Sequence, residues 1–229
     1  MTTFDESLKR RGIDTNSESG PVKTDRAASI GDQTGGNKST FEDNGTLKFE
    51  GDAVVWDDLV IPLSSAKVPA VNAPTWASLI GNLNAYTYAV DDYQEFAVEM
   101  LHSYKEGTNF EFHIHGAING LVSGVKGIKF EIEYTIANME GVSNFNVVFP
   151  ATTTVEAELT IPDATADLTS FYFDIADITG TTYNIGATIV GRLRRIIAVG
   201  AAPAADPFIT QVGVHYVKDT VGSREEYTK

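Results

Sequence analysis

The 229-residue chain contains no cysteine. Disulfides, thiolate metal sites and a cysteine nucleophile are therefore excluded. Long apolar runs are also missing, because the longest mostly apolar stretch, residues 196–205, is far shorter than the ~20 residues that span a bilayer. The first residues carry acidic groups where a secretory signal would have an apolar segment. We therefore expect a soluble protein that is made in a cytoplasm and has no membrane partner.

Basic residues are few, with 17 Lys and Arg against 31 Asp and Glu, so the net charge is −14 at pH 7. The first 45 residues contain six of the basic and eight of the acidic residues, which leaves −12 on the rest of the chain. Such a surface repels phosphate backbones, so no nucleic acid partner is expected. The densest basic group is Arg192, Arg194 and Arg195, and strand alternation places the first two on one face. We expect these cations to pair with carboxylates.

Residues 1–45 lack the apolar surface that a folded unit needs. Between positions 15 and 40 they are mostly Ser, Thr, Gly, Asn and alternating charges, a composition that cannot offset the entropy cost of ordering. We predict an extended N-terminal arm, with a possible short helix at its start, that lies on a neighbouring subunit. Phe4, Leu8 and Ile13 are the arm residues expected to make the assembly contacts.

The remaining chain, residues 46–229, alternates polar and apolar side chains with the period of β-strands. In residues 129–135 the acids Glu131 and Glu133 fall on one face, and residues 155–161 repeat the pattern. Helical periodicity outside the arm is nearly absent, and residues 75–83 are the best short candidate. This pattern predicts an all-β protein, with an antiparallel β-sandwich of the jelly-roll type as its single domain.

The segment GTNFEFHIH contains two histidines, His113 and His115, which a strand would present on the same face. Two imidazoles in that arrangement are able to bind one metal ion. The spacing resembles the opening of the motif of cupins, which are metal-binding jelly rolls, and His215 is a loose echo of a third ligand. A cupin-like metal-binding enzyme that uses His113, His115 and His215 is therefore one alternative. Our preferred interpretation is that these are half-buried strand residues at a subunit contact, with no metal and no cofactor.

Other catalytic signatures are missing from the sequence, including the G-x-S-x-G elbow, the Walker A loop and H-E-x-x-H. The neighbouring carboxylates Asp57 and Asp58 point apart on a strand, and turn signals suggest that they end one. A calcium site that uses Asp91 and Asp92, or Asp174 and Asp177, stays open as a further alternative. We predict no catalytic residues, and we expect that the protein is not an enzyme.

Three segments together resemble a family of tailed-bacteriophage virion structural proteins: GDAVVWDDLVIPL at 51–63, YKEGTNFEFHIH at 104–115 and HYVKDTVGSREEYTK at 215–229. One departure is Gly116, which stands where the family often has Trp. The resemblance implies a component of the virion. Within it we expect a capsid decoration (cement) protein whose arm binds the major capsid protein and whose body forms a homotrimer. A neck, collar or tail fibre component is the alternative.

The terminal GSREEYTK has mixed charges and one aromatic side chain. In a lone domain such a segment frays. We predict that it packs on a neighbouring subunit, with Arg224 paired to a carboxylate and Tyr227 as an anchor. A solvated tail is the alternative.

Overall fold

The computed structural model describes residues 13–14, 23–24, 28–31, 36–42, 45–139 and 147–223. The all-β prediction is confirmed, because the regular elements here are antiparallel strands and two single 3-10 turns, Gly51–Ala53 and Leu63–Ser65. In chain order the strands are β1 (Ile13–Asp14), β2 (Lys23–Thr24), β3 (Ala28–Gly31), β4 (Lys38–Phe41), β5 (Leu47–Glu50), β6 (Val55–Pro62), β7 (Thr75–Ile80), β8 (Leu83–Thr87), β9 (Tyr93–Glu99), β10 (Phe110–Ala117), β11 (Lys126–Ala137), β12 (Thr153–Ile161), β13 (Ser170–Ile178), β14 (Thr188–Ile196) and β15 (Phe208–Lys218).

Two antiparallel sheets form the body. One has the strand order β12-β11-β14-β9, and the other has the order β13-β10-β15-β8-β7, with β6 also paired to β15. Strand β15 pairs with β8 at its start and with β6 along the rest of its length. The chain changes sheet at nearly every connection from β9 to β15, as Greek-key sandwiches do. The jelly-roll connectivity itself stays a prediction, and these strand orders favour it.

The core lies between the two sheets, because alternate residues of each strand point inward. Phe112 of β10 packs against Tyr134 of β11, with ring centroids 5.3 Å apart. Phe130 contacts Tyr88 at 5.9 Å, and all four side chains belong to one buried apolar cluster. Each large side chain buried in this way contributes roughly 2 kcal/mol to folding. The alternate residues of the same strands form the two outer faces of the sandwich.

Residues 75–83 form a β-hairpin, so the short helix considered for this stretch is wrong. Strands β7 and β8 pair antiparallel, and Ile80 lies opposite Leu83. Gly81 has φ +57° at the first position of the two-residue turn, a conformation that glycine adopts without strain and that suits a tight hairpin. The pairing of two half-exposed strands therefore overrides the weak helical periodicity.

The turn-like composition around Asp57 and Asp58 suggested that they end a strand, and this expectation is wrong. They lie in the middle of β6, which pairs with β15 from Val55 to Pro62. Both residues have a partner on the neighbouring strand, since Asp57 is opposite Tyr216 and Asp58 is opposite His215. Cross-strand contacts therefore keep the pair in the sheet.

The N-terminal segment contains strands that its composition did not predict. Strands β3, β4 and β5 form a three-stranded sheet, which spans the predicted arm boundary at residues 45 and 46. The sheet contacts the end of β15, because the Phe49 amide donates a hydrogen bond of 2.6 Å to the Asp219 carbonyl. The division into an arm and a body stays a prediction.

The predicted assembly residues are mostly outside the described part of the chain. Phe4, Leu8, Arg224 and Tyr227 lie outside the described residues, and Ile13 is described only as a backbone position of β1 opposite Thr24. Their roles in assembly stay predictions. None of the helices in the described residues has the length and apolar character needed to cross a membrane.

Candidate functional site

The outer face of the six-stranded sheet brings together acids and imidazoles from four strands. Across the sheet, Asp58 of β6 lies opposite His215 of β15, which lies opposite Glu111 of β10. Two residues further along β10, His113 lies between Gly213 of β15 and Asp174 of β13. We call this surface the histidine face; its residues are Asp58, Glu111, His113, His115, Asp174 and His215.

His113 is fully buried, although it belongs to an outer face. Its ring lies directly over Gly213, where an added Cβ would stand 2.0 Å from Nε2. The His215 ring stacks on it with centroids 3.8 Å apart and planes 23° apart. A glycine beneath and an imidazole against it therefore enclose the His113 ring.

The polar atoms of His113 are left without hydrogen bonds in this position. Neither Nδ1 nor Nε2 has a hydrogen-bond partner among the described residues, and the same is true of the buried Oδ1 of Asp58. The other carboxylate oxygen of Asp58, Oδ2, lies 3.6 Å from Nε2, too far for a normal hydrogen bond. Buried polar atoms in this state are costly, typically about 1–3 kcal/mol for each group.

Burial lowers the pKa of His113 to about 4, and the neighbouring His215 adds to this shift. The imidazole is therefore neutral at pH 7. A neutral imidazole offers a free lone pair on one ring nitrogen, so His113 is in the form that binds a cation.

The carboxylates of the histidine face are crowded. Oε2 of Glu111 lies 3.9 Å from Nδ1 of His215. Burial raises the pKa of Glu111, and the nearby Asp174 and Asp177 raise it further. Negative charge at this place is thus in excess, and a cation would relieve it.

Two overlapping groups have the donor types and spacing of metal ligands. One consists of Asp58, His113 and His215, and the other of Glu111, Asp174 and His215; within each, the ligand atoms lie within 4.8 Å of one another. His215 belongs to both groups. Asp58 and Glu111 were not candidates from the sequence, because only the pairing of distant strands places them beside the histidines.

His115 does not join either group of possible ligands. Its ring is 5.0 Å from that of His113, at 69° to it, and it stacks on Tyr172 at 5.9 Å. Of the three histidines that the sequence offered as possible metal ligands, the fold groups His113 and His215. The third member of their group is Asp58 and not His115. Asp174, an open candidate for calcium from the sequence, lies beside Glu111, while Asp177 belongs to neither group.

Asp57, next to Asp58 in sequence, points to the other side of β6. It accepts hydrogen bonds from Lys218 Nζ at 3.0 Å and from the Tyr216 hydroxyl at 3.3 Å. The hydrogen bond from Lys218 is the main cause of the lowered pKa of Asp57. The prediction that these neighbouring carboxylates point apart is confirmed, and Asp57 ties β6 to β15.

The outer face of the four-stranded sheet has a different arrangement, in which cations face carboxylates on neighbouring strands. Arg192 lies 2.7 Å from Glu133, and Arg194 lies 3.1 Å from Glu131. Arg195 points inward, is 2% exposed and pairs with Asp206. The expected pairing of the arginines is confirmed. We call this surface the charged face; its residues are Lys129, Glu131, Glu133, Glu156, Arg192 and Arg194.

Large apolar side chains border the histidine face. Trp56 is 66% exposed and Tyr172 is 61% exposed, on the strands at either side of it, and Val60 is also exposed. The spacing along β6 places Trp56 and Val60 on the same side as Asp58. Exposed aromatic side chains are enriched in protein contact surfaces.

Comparisons with known proteins give little guidance. The sequence matches no model of a protein family, and no curated protein resembles it significantly. One similar solved structure is that of infectious bursal disease virus, Gx strain, with 13% identity and a TM-score of 0.22. The match covers 68% of this chain and 39% of the viral chain, so this chain spans well under half of that protein. A likeness of this size carries no argument about function.

Proposed function

We propose that this protein is a non-enzymatic structural component of a tailed-bacteriophage particle. Within the particle, it is a capsid decoration protein that binds the major capsid protein through its N-terminal arm and forms a homotrimer. The proposal starts from the three segments of the sequence that resemble phage virion proteins.

The observation that carries the proposal is that these three segments meet in the fold. The first contributes β6, the second contributes β10, and the third contributes the end of β15, which lies between the other two. Contacts across the strands join them, since Asp57 of the first segment binds Lys218 of the third, and Asp58 of the first faces His113 of the second. The three segments are far apart in sequence but form one surface. This is expected if that surface has the same role in the phage virion proteins that the segments resemble.

The exposed apolar groups on this surface support a role in assembly. Trp56 and Tyr172 each expose more than half of their surface, and burying large aromatic side chains is a main source of stability in interfaces. The trimer contact in this proposal uses that surface. The net charge of −14 would keep concentrated particles soluble if the rest of the body faces solvent.

Binding to heads tests the capsid role. Undecorated phage heads would be mixed with the full chain, and with a variant in which residues 1–27 are replaced by a Gly/Ser segment of equal length, which preserves β3 to β5. We expect the full chain to bind in copies on the order of hundreds per head, as icosahedral symmetry provides, and the variant to bind poorly.

Copy number separates this function from its alternative. A dozen or fewer copies per particle, as the symmetry of a neck or tail predicts, would indicate a neck, collar or tail fibre component. Equal binding of both chains would remove the arm as the tether. No binding to particles at all would overturn the proposal.

Self-association tests the trimer separately. Sedimentation of the full chain should give a trimer, which Trp56→Arg or Tyr172→Arg should dissociate. Ile197→Arg is the matched control, because Ile197 is 78% exposed but follows β14 of the other sheet. A monomeric full chain, or dissociation by the control alone, would contradict the proposed contact.

A further inference from the structure

We propose that Asp58, His113 and His215 form a binding site for one divalent transition-metal ion, with zinc as the expected occupant. The site joins β6 to β10 across β15. The site lies on the surface that the proposed trimer contact uses, but all three ligands come from one chain, so the inference does not depend on the role in a phage particle.

The fold prepares one ligand in advance. His113 is fully buried and its ring lies against Gly213, so little of its own side-chain entropy remains to be lost on binding. Neither of its ring nitrogens has a hydrogen-bond partner among the described residues. A metal bond would satisfy an atom that the protein alone leaves unsatisfied, and the same holds for the buried oxygen of Asp58.

The spacing of the donor atoms suits a shared ion. Two ligands that each bind a tetrahedral zinc ion at about 2.0–2.1 Å lie about 3.3 Å apart. Oδ2 of Asp58 and Nε2 of His113 are 3.6 Å apart, and the ligand atom of His215 is within 4.8 Å of both. His215 must turn out of its stack to complete the site, and it has room to do so because its side chain is 34% exposed.

The donor types select the class of ion. Two imidazoles and one carboxylate suit zinc and similar transition metals, whereas calcium and magnesium prefer oxygen donors alone. Electrostatics favours a cation here. Among the described residues, Asp58 and Glu111 face only histidines in their ion pairs, and no lysine or arginine neutralises them. Asp58 and His215 are both partly exposed, so a further coordination position of the ion would face solvent.

The chain offers a clear test, since it has four histidines and no cysteine. Untagged full-length protein would be treated with a chelator, freed of it and titrated calorimetrically with zinc chloride. We expect one equivalent to bind, and we expect a rise in melting temperature of about 5–10 °C at zinc concentrations near 100 times Kd. Cobalt chloride should give the visible absorption of a tetrahedral nitrogen and oxygen site.

Variants assign the ligands. His215→Ala and Asp58→Asn change partly exposed side chains, so they should fold normally and weaken zinc binding at least tenfold. His102→Ala is the matched control, because His102 contacts Glu99 and Ser223 instead, and it should bind zinc as the parent does. Gly213→Ala should also weaken binding, because the new Cβ displaces the His113 ring.

Three results would overturn the proposal. The first is no saturable heat up to about 200 µM zinc, a concentration that reveals any site of micromolar affinity. The second is zinc binding that His215→Ala and Asp58→Asn leave unchanged. The third is calcium chloride binding more tightly than zinc, which would assign the site to the carboxylates Glu111 and Asp174.

Discussion

The charged face and the histidine face belong to the same sandwich, but they treat their charges differently. On the charged face, Arg192 and Arg194 each lie close to a glutamate of the neighbouring strand. On the histidine face, Asp58 lies 3.6 Å from a neutral, fully buried imidazole, with polar atoms of both residues unsatisfied. Nε of Arg192 and Nε of Arg194 also lack hydrogen-bond partners among the described residues, but both cations face carboxylates. The charged face is therefore balanced in charge, whereas a bound cation would supply the positive charge that the histidine face lacks.

Glycine also has a different use in the two sheets. Gly191 of β14 lies beneath Phe96, where an added Cβ would be 2.4 Å from the Cζ atom of the ring, inside the core. Gly213 of β15 lies beneath His113 on an outer face. One glycine thus allows a core side chain to pack, and the other allows a polar side chain to be buried near the surface.

The largest expected effect on the free energy of unfolding comes from adding a Cβ atom at Gly191 or at Gly213. Gly191→Ala should lower the free energy of unfolding by about 1–3 kcal/mol, because Phe96 is enclosed by the core and has no free space to enter. Gly213→Ala should cost less than half as much in metal-free protein, because the His113 ring lies on an outer face against the partly exposed His215, so both rings are able to shift outward. Urea unfolding in the presence of a chelator measures both. Equal losses for the two variants would contradict the distinction between the faces.

A smaller effect should follow from removing one charge from each face. Arg194→Met should lower the free energy of unfolding by about 1 kcal/mol, because it leaves Glu131, whose side chain is only 14% exposed, without its cation. Asp58→Asn should change it by less than about 0.5 kcal/mol in metal-free protein, because no hydrogen bond to the described residues is lost from Oδ1. Urea unfolding with a chelator again gives the values.

A double-mutant cycle sharpens this second test. Glu131→Gln combined with Arg194→Met should show a coupling of about 0.5–1 kcal/mol. A coupling near zero would mean that the ion pairs of the charged face do not stabilise it. In that case the two faces would differ less than their geometry indicates.

Local patterns were enough to predict most strands of the two large sheets, but not those of the N-terminal segment and not the site. The alternation placed Glu131 and Glu133 on one face of a strand, and in the structure both lie on the outer face of β11. The same reasoning failed at residues 75–83, where a two-residue turn and its partner strand decide the structure. Local sequence records the period of a strand, but it does not record which strand lies beside it.

The histidine face shows why the site was only partly predictable. His113 and His115 stood out because they are two residues apart, yet the group formed by the fold joins His113 to Asp58 and His215. Asp58 and His215 become neighbours only through the pairing of β6 with β15. The composition around Asp57 and Asp58 favoured a turn, and only the long-range pairing places both residues in a strand.

The smallest expected effect is a pH dependence beside the charged face, at Glu158 of β12. Its carboxylate accepts hydrogen bonds from the backbone amides of Gly200 at 3.0 Å and Val199 at 2.8 Å, and these bonds lower its pKa from the ordinary value near 4.5. A lowered pKa in the folded state means that the stabilisation is present above pH 4.5 and is lost as the pH falls through the folded value. The melting temperature of the parent should therefore exceed that of Glu158→Gln at pH 6, and the difference should narrow below pH 4.5. Glu156→Gln removes the same charge from the same strand without touching these amides, and it serves as the control. A difference that stays constant from pH 6 to pH 3 would show that the carboxylate charge of Glu158 does not hold this loop.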